Sequence, residues 1–220
     1  MVAEAYRDRF APYVDRLATP FLGWSPTTLS GVAIGLAIAA GALSILVRWT
    51  TPLLFLPVGL LVFFAGVFDV LDGAVARRTG RASVRGDFLD HVLDRYADVA
   101  IVIGLGFSLY ADPRLALLAL VSLLLTSYMG TQAQAVGQGR LYAGLLSRAD
   151  RLLILAAAAI LEFDLSLPWP WAPTAPLSRI HLSGLTFTVL DLAFVYLVVA
   201  GQWTALARAW RVYKALPPTA

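Results

Sequence analysis

Six apolar stretches, at about 27–47, 52–71, 87–110, 114–136, 150–167 and 185–212, each approach or exceed the roughly 20 residues that a helix needs to cross a bilayer core. In lipid the backbone must satisfy its own hydrogen bonds, so runs of this length resolve into helices. Arg48-Trp49-Thr50-Thr51-Pro52 separates the first pair, and Tyr110-Ala111-Asp112-Pro113-Arg114 the third from the fourth. The stretch LPWPWAPTAPLSRIHLSG (167–184) cannot continue a helix, because proline lacks the amide donor and clashes with the preceding turn. With 59% hydrophobic and 14% charged residues, the chain lies outside the range of soluble domains.

The expected fold is therefore an all-α integral membrane domain over residues 1–220. An N-terminal amphipathic interfacial helix at 1–21 precedes a bundle of six transmembrane helices over 27–212. In the leading segment Tyr6, Phe10, Tyr13, Val14 and Leu17 recur at helical spacing against Arg7, Arg9 and Arg16, as a helix lying in the membrane interface requires. The first twenty residues are of mixed charge and lack the basic start and short apolar core of a cleaved signal, so none is expected. There is no cysteine, which excludes disulfides and thiolate chemistry.

Basic residues set the orientation. Of the 17 lysines and arginines, only Arg48, Arg114 and Arg179 fall on one side of the expected bundle, which puts both termini and the acidic segment described next in the cytosol. The net charge of +3 does not point to nucleic acid, since these arginines flank membrane segments, where anionic headgroups attract them.

Against this apolar background stands FDVLDGAVARRTGRASVRGDFLDHVLD (68–94). Asp69 and Asp72 are three residues apart at the end of the second span, and Asp90, Asp94 and Asp98 are four apart at the start of the third. Each set therefore shares one helix face. Ionised carboxylates gathered at a bilayer boundary repel one another and lose hydration, so they need compensating cations. An all-oxygen set favours a hard ion, Mg²⁺ or Mn²⁺. Two such ions could clamp a diphosphate for displacement at phosphorus. Gly73 allows close approach, Ala76 keeps the same face small, Arg77 can fork to a phosphate, and Gly86 opens the third helix. Arg78, Arg81 and Arg85 are read as lipid-headgroup contacts. His91 follows Asp90 by one residue and so points off the acid face. Asp191, inside the sixth stretch, is read as a structural hydrogen-bonding group.

Asp69-x-x-Asp72-Gly73-x-x-Ala76-Arg77, eight residues, then Gly86-x-x-x-Asp90-x-x-x-Asp94 resembles, without a gap, the signature of the CDP-alcohol phosphotransferases. Leu22-Gly23-Trp24-Ser25-Pro26-Thr27 resembles a second element of that family, with Thr27 where asparagine is usual. The resemblance implies transfer of a phosphoryl-lipid unit from a CDP-linked lipid, diacyl or archaeal ether, to the hydroxyl of a polar alcohol, releasing CMP. It implies Asp69, Asp72, Asp90 and Asp94 as ligands of two metal ions, with Asp94 as general base. It further implies Asp72, Gly73, Ala76, Arg77 and Gly86 as contacts to cytidine diphosphate, and a homodimer. Asp87 and Asp98 lie outside the signature. Asp87 is read as a first-turn acid and Asp98 as a partner to an arginine.

For the acceptor, Ser147-Arg148-Ala149-Asp150-Arg151 resembles an element of phosphatidylinositol phosphate synthases in which arginines hold the phosphate of inositol phosphate. The resemblance implies Arg148 and Arg151 as acceptor contacts. The alternative is a charged cap on the fifth helix. Gly130 and Gln132 stand where those synthases carry a lysine and an arginine, and Gln132 could instead bond a polyol. Inositol phosphate, glycerol phosphate or another alcohol thus remain candidate acceptors. A cation transporter is the different-class alternative, although its acids would tend to lie at the midplane.

Overall fold

The computed structural model describes residues 11–139, 147–167, 179–182 and 185–217. Six long helices stand among them: α1 (Pro26–Val47), α2 (Phe55–Arg78), α3 (Val84–Gly106), α4 (Pro113–Ala135), α5 (Arg148–Leu165) and α6 (Val189–Ala215). Strands β1 (Arg179–Leu182) and β2 (Leu185–Thr188) pair antiparallel ahead of α6. Helices α1, α4 and α6, and α2 with the turn before it, are long and apolar enough to cross a membrane. Helices α3, with Asp87, Asp90, Asp94 and Asp98, and α5, with Arg148, Asp150 and Arg151, do not reach that apolarity.

The element ends depart from the apolar runs because local capping, not hydropathy, ends a helix. α2 continues past 71 to Arg78, where Gly80 turns at φ +66° and the Arg81 amide donates to the Ala76 carbonyl at 3.0 Å. α3 begins before 87 because the Ser83 hydroxyl accepts from the Gly86 amide. α6 begins at Val189 rather than 185, since 185–188 pair as a strand. Of the expected interfacial helix, residues 11–18 are helical and Thr19–Phe21 form a tight 3₁₀ turn, while residues 1–10 lie outside the described set, as do Arg140 and the side chain of Arg179.

The principal contacts close a ring. α1 packs on α2 and α3, α2 on α5, α5 on α6, α6 on α4, and α4 on α3. Glycines let the backbones approach: a Cβ on Gly41 of α1 would lie 2.3 Å from the Ala100 carbonyl oxygen of α3, and one on Gly59 of α2 would lie 2.9 Å from that of Ala156 on α5. Phe55, Ile101, Leu123, Leu155 and Phe194 fill the ring's interior and are fully buried.

Asp191 has the structural role read for it. It caps α6 in a reciprocal box with Thr188, and its Oδ1 accepts from the Asp112 amide at 2.6 Å, tying the start of α6 to the turn before α4.

Glycine spacing gives a paired test. Gly41→Ala should lower the thermal midpoint of the purified protein, since overpacking costs about 1–3 kcal/mol. Gly31→Ala, on the same helix with nothing within 4 Å of the added carbon, should match or exceed wild type. Equal midpoints for the two variants would contradict backbone contact between α1 and α3.

Candidate active site

The end of α2 and the start of α3 bring the signature acids together. Carboxylate oxygens of Asp69, Asp72 and Asp90 all lie within 4.8 Å of one another. Asp72 is buried, and Asp69 and Asp90 are partly so. Three carboxylates with no sulfur or nitrogen ligand suit a hard divalent ion, so the residues present fit the metal expected from the sequence. Asp94, one turn beyond Asp90, is buried beside this group.

Ser30 was not picked out by the sequence. Its hydroxyl lies 2.5 Å from Asp72 Oδ2 and 3.1 Å from the Pro26 carbonyl, so α1 supplies an orienting contact to an acid of α2. The available signal was a serine one turn inside a proline-started helix, a pattern too common to select it.

The arginines of α5 face the acids. Arg148 Nη1 pairs with Asp69 and lies 2.8 Å from Asp94 Oδ1, bridging α2 and α3. Arg151 Nη1 reaches Asp98 Oδ2 at 3.1 Å, and Arg95 Nη1 reaches the same oxygen at 3.2 Å. Arg95 Nη2 lies 3.5 Å from Asp94 Oδ2. Asp98 is thus the arginine partner anticipated, although it binds two of them. The capping alternative also holds for part of the element: Ser147 accepts from the Asp150 amide at 3.2 Å, and Asp150 accepts from the Ser147 amide at 2.9 Å. The serine and acid cap α5 while the arginines enter the site.

The small residues frame the turn between α2 and α3. At Gly73 an added Cβ would lie 3.3 Å from Arg77 Nη1, so the missing side chain lets this exposed guanidinium lie along the helix. Ala76 is partly buried and Gly86 exposed at the first turn of α3. Arg78 and Arg81 differ from their headgroup reading. Arg78 Nη1 donates to the Asp15 carbonyl at 2.5 Å and to Thr19 Oγ1 at 3.1 Å, and Arg81 Nη1 to the Trp24 carbonyl at 3.3 Å. Carbonyls at a helix end and turn attract guanidinium donors, and here they tie the leading residues to the α2–α3 turn. His91 turns from the acids toward the Asp87 carbonyl, 2.7 Å from its Nδ1. Gln132 is exposed and its amide donates to Tyr128 on its own helix at 2.7 Å, so no described contact joins it to Arg148 or Arg151.

An apolar groove of about 240 Å³ is bounded by Val14 and Leu17, by Phe63, Val67 and Val70 of α2, and by Leu153 of α5.

Residues 24–190 match the family model for CDP-alcohol phosphatidyltransferases. Archaetidylinositol phosphate synthase of Methanothermobacter thermautotrophicus is 31% identical over 205 residues, covering 93% of this chain and 89% of that protein. The fold matches the crystal structure of Mycobacterium tuberculosis phosphatidylinositol phosphate synthase with CDP-DAG bound, at TM-score 0.69 and 25% identity over 94% of this chain and 98% of that one. The same enzyme in complex with manganese and citrate matches at TM-score 0.70 and 25% identity, over 94% and 93%.

The three-carboxylate cluster predicts that Asp69→Asn, Asp72→Asn or Asp90→Asn each weakens Mn²⁺ binding by about tenfold or more, read by electron paramagnetic resonance of the free ion. Wild-type affinity in all three variants would remove the cluster as a metal site.

Proposed function

The chain belongs to the CDP-alcohol phosphatidyltransferase family, and on that premise we propose that it moves a phosphatidyl-type group from a CDP-linked lipid to the hydroxyl of inositol phosphate, releasing CMP. The observation that carries this reading is the meeting of Asp69, Asp72 and Asp90 at one point, with Arg148 reaching from a third helix to Asp69 and Asp94. The named synthases it resembles support inositol phosphate over glycerol phosphate as the acceptor.

In this reading Asp69, Asp72, Asp90 and Asp94 hold two divalent ions, Mg²⁺ or Mn²⁺. When bound, these ions neutralise charge on the diphosphate and make its phosphorus more electrophilic. Arg77, Gly73, Ala76 and Gly86 cradle the cytidine diphosphate, since the small residues leave the helix surface open and the guanidinium forks to phosphate oxygens. The acceptor hydroxyl attacks the lipid-side phosphorus and loses its proton to Asp94. The bond from that phosphorus to the bridging oxygen breaks, and CMP leaves with the oxygen. Position supports this choice of base, since Asp94 lies one turn past Asp90 on α3 and meets Arg148 from the acceptor side.

The lipid tails enter sideways through the apolar groove along α2, whose Val70 adjoins Asp69 and whose Ala149 wall adjoins Arg148. Arg148 and Arg151 receive the acceptor's phosphate from the other side. The six helices span the bilayer, with the site and both termini in the cytosol, the leading helix lies in the interface, and the protein works as a homodimer.

CMP release from one CDP-lipid is to be measured with inositol phosphate, glycerol phosphate, inositol and serine. Inositol phosphate should give the highest kcat/KM, and preference for an unphosphorylated acceptor would contradict the assignment. Asp94→Asn should retain CDP-lipid binding while turnover falls by about 10²–10⁴. Turnover near wild type in that variant would remove Asp94 as the base.

A further inference from the structure

Asp98 lies outside the signature, yet it is among the most buried charged residues described, at 2% exposure. A carboxylate held from water in this way is costly unless paired, and its Oδ2 meets two guanidinium groups, Arg151 at 3.1 Å and Arg95 at 3.2 Å. The tether uses one corner of Arg151, Nη1. The fork that runs along Nε and Nη2 is left for another acceptor. Arg151 Nε is a buried donor with no hydrogen-bond partner among the described residues, and so is Arg148 Nε, whose Nη1 is likewise taken by Asp69 and Asp94. Two adjacent arginines are thus held by their Nη1 corners against acids, each with a buried N–H left over. A tetrahedral oxyanion satisfies such leftover donors, because each guanidinium edge matches two of its oxygens.

We propose that Asp98 is a positioning residue that holds Arg151 so that its free edge receives the phosphate of the acceptor. This rests on the reading above that the acceptor is phosphorylated. Arg95, shared between Asp98 and Asp94, joins that phosphate position to the base, so a shift at Asp98 reaches the acceptor side before the nucleotide side.

The test uses full-length Asp98→Asn, which keeps the side chain's size and removes its charge, with Asp98→Glu as the charge-preserving companion. The KM for inositol phosphate should rise by about tenfold or more in Asp98→Asn, the scale of one charge-assisted orienting bond, while the KM for CDP-lipid stays within about twofold. Asp98→Glu should recover most of the lost acceptor affinity, which a residue serving only to fill space would not do. Parallel rises in both KM values, or a fall in kcat with both unchanged, would overturn the role.

A second arm does not depend on the reaction. Inorganic phosphate and inositol phosphate should each raise the thermal midpoint of the wild-type protein without CDP-lipid, and should do so far less for Asp98→Asn. Equal stabilisation of both proteins, or none of the wild type, would overturn the proposal. Absence of product from wild type with every phosphorylated acceptor would instead defeat the functional reading and leave this arm to decide Asp98.

Discussion

Acids cannot be gathered at the edge of a bilayer without cations among them, and this constraint organises the molecule. Asp69 and Asp72 end one helix, Asp90, Asp94 and Asp98 begin the next, and repulsion between them is offset by arginines that come mostly from elsewhere. The ring of helices makes that possible. α5 packs against α2 through Gly59, which places Arg148 at the head of α5 within reach of Asp69 near the end of α2. α1 touches both α2 and α3 and lends Ser30 to Asp72. A change in glycine spacing would therefore be felt as a change in charge balance.

The same arrangement divides the chemistry among elements. α2 and α3 carry the acids and the small residues beside them, α5 carries the arginines, and the groove between the leading residues, α2 and α5 is apolar. Three distinct surroundings, acidic, basic and apolar, thus meet around one point, and the proposed function gives them to the diphosphate, the polar acceptor and the lipid tail. Arg78 and Arg81 hold the leading residues against the α2–α3 turn, so one wall of the groove is fastened to that turn.

Much of this was legible in the sequence, for physical reasons that differ by residue. Spacings of three and four place acids on one helix face whatever surrounds them, so the Asp69–Asp94 array could be read directly. The fold class followed from apolar runs too long for a soluble core. Helix ends were less legible because they depend on single caps such as Ser83 and Gly80, and the strand pairing at 185–188 was hidden inside an apolar run. Charged residues with several plausible partners were the least legible. Arg78 could have met lipid and meets Asp15 and Thr19, and Asp98 was expected to pair with one arginine and pairs with two. Gln132, whose amide could bond a polyol, donates to Tyr128 one turn away on its own helix.

In the proposed reaction an acceptor hydroxyl, relieved of its proton at Asp94, attacks the lipid-side phosphorus of a CDP-lipid. The most direct measurement supplies inositol phosphate labelled with ¹⁸O at its reacting hydroxyl and follows the label by mass spectrometry. The account predicts that the label is retained in the new lipid phosphodiester and that the released CMP carries none. Label in a cytidine-containing product, or lipid product without label, would contradict it.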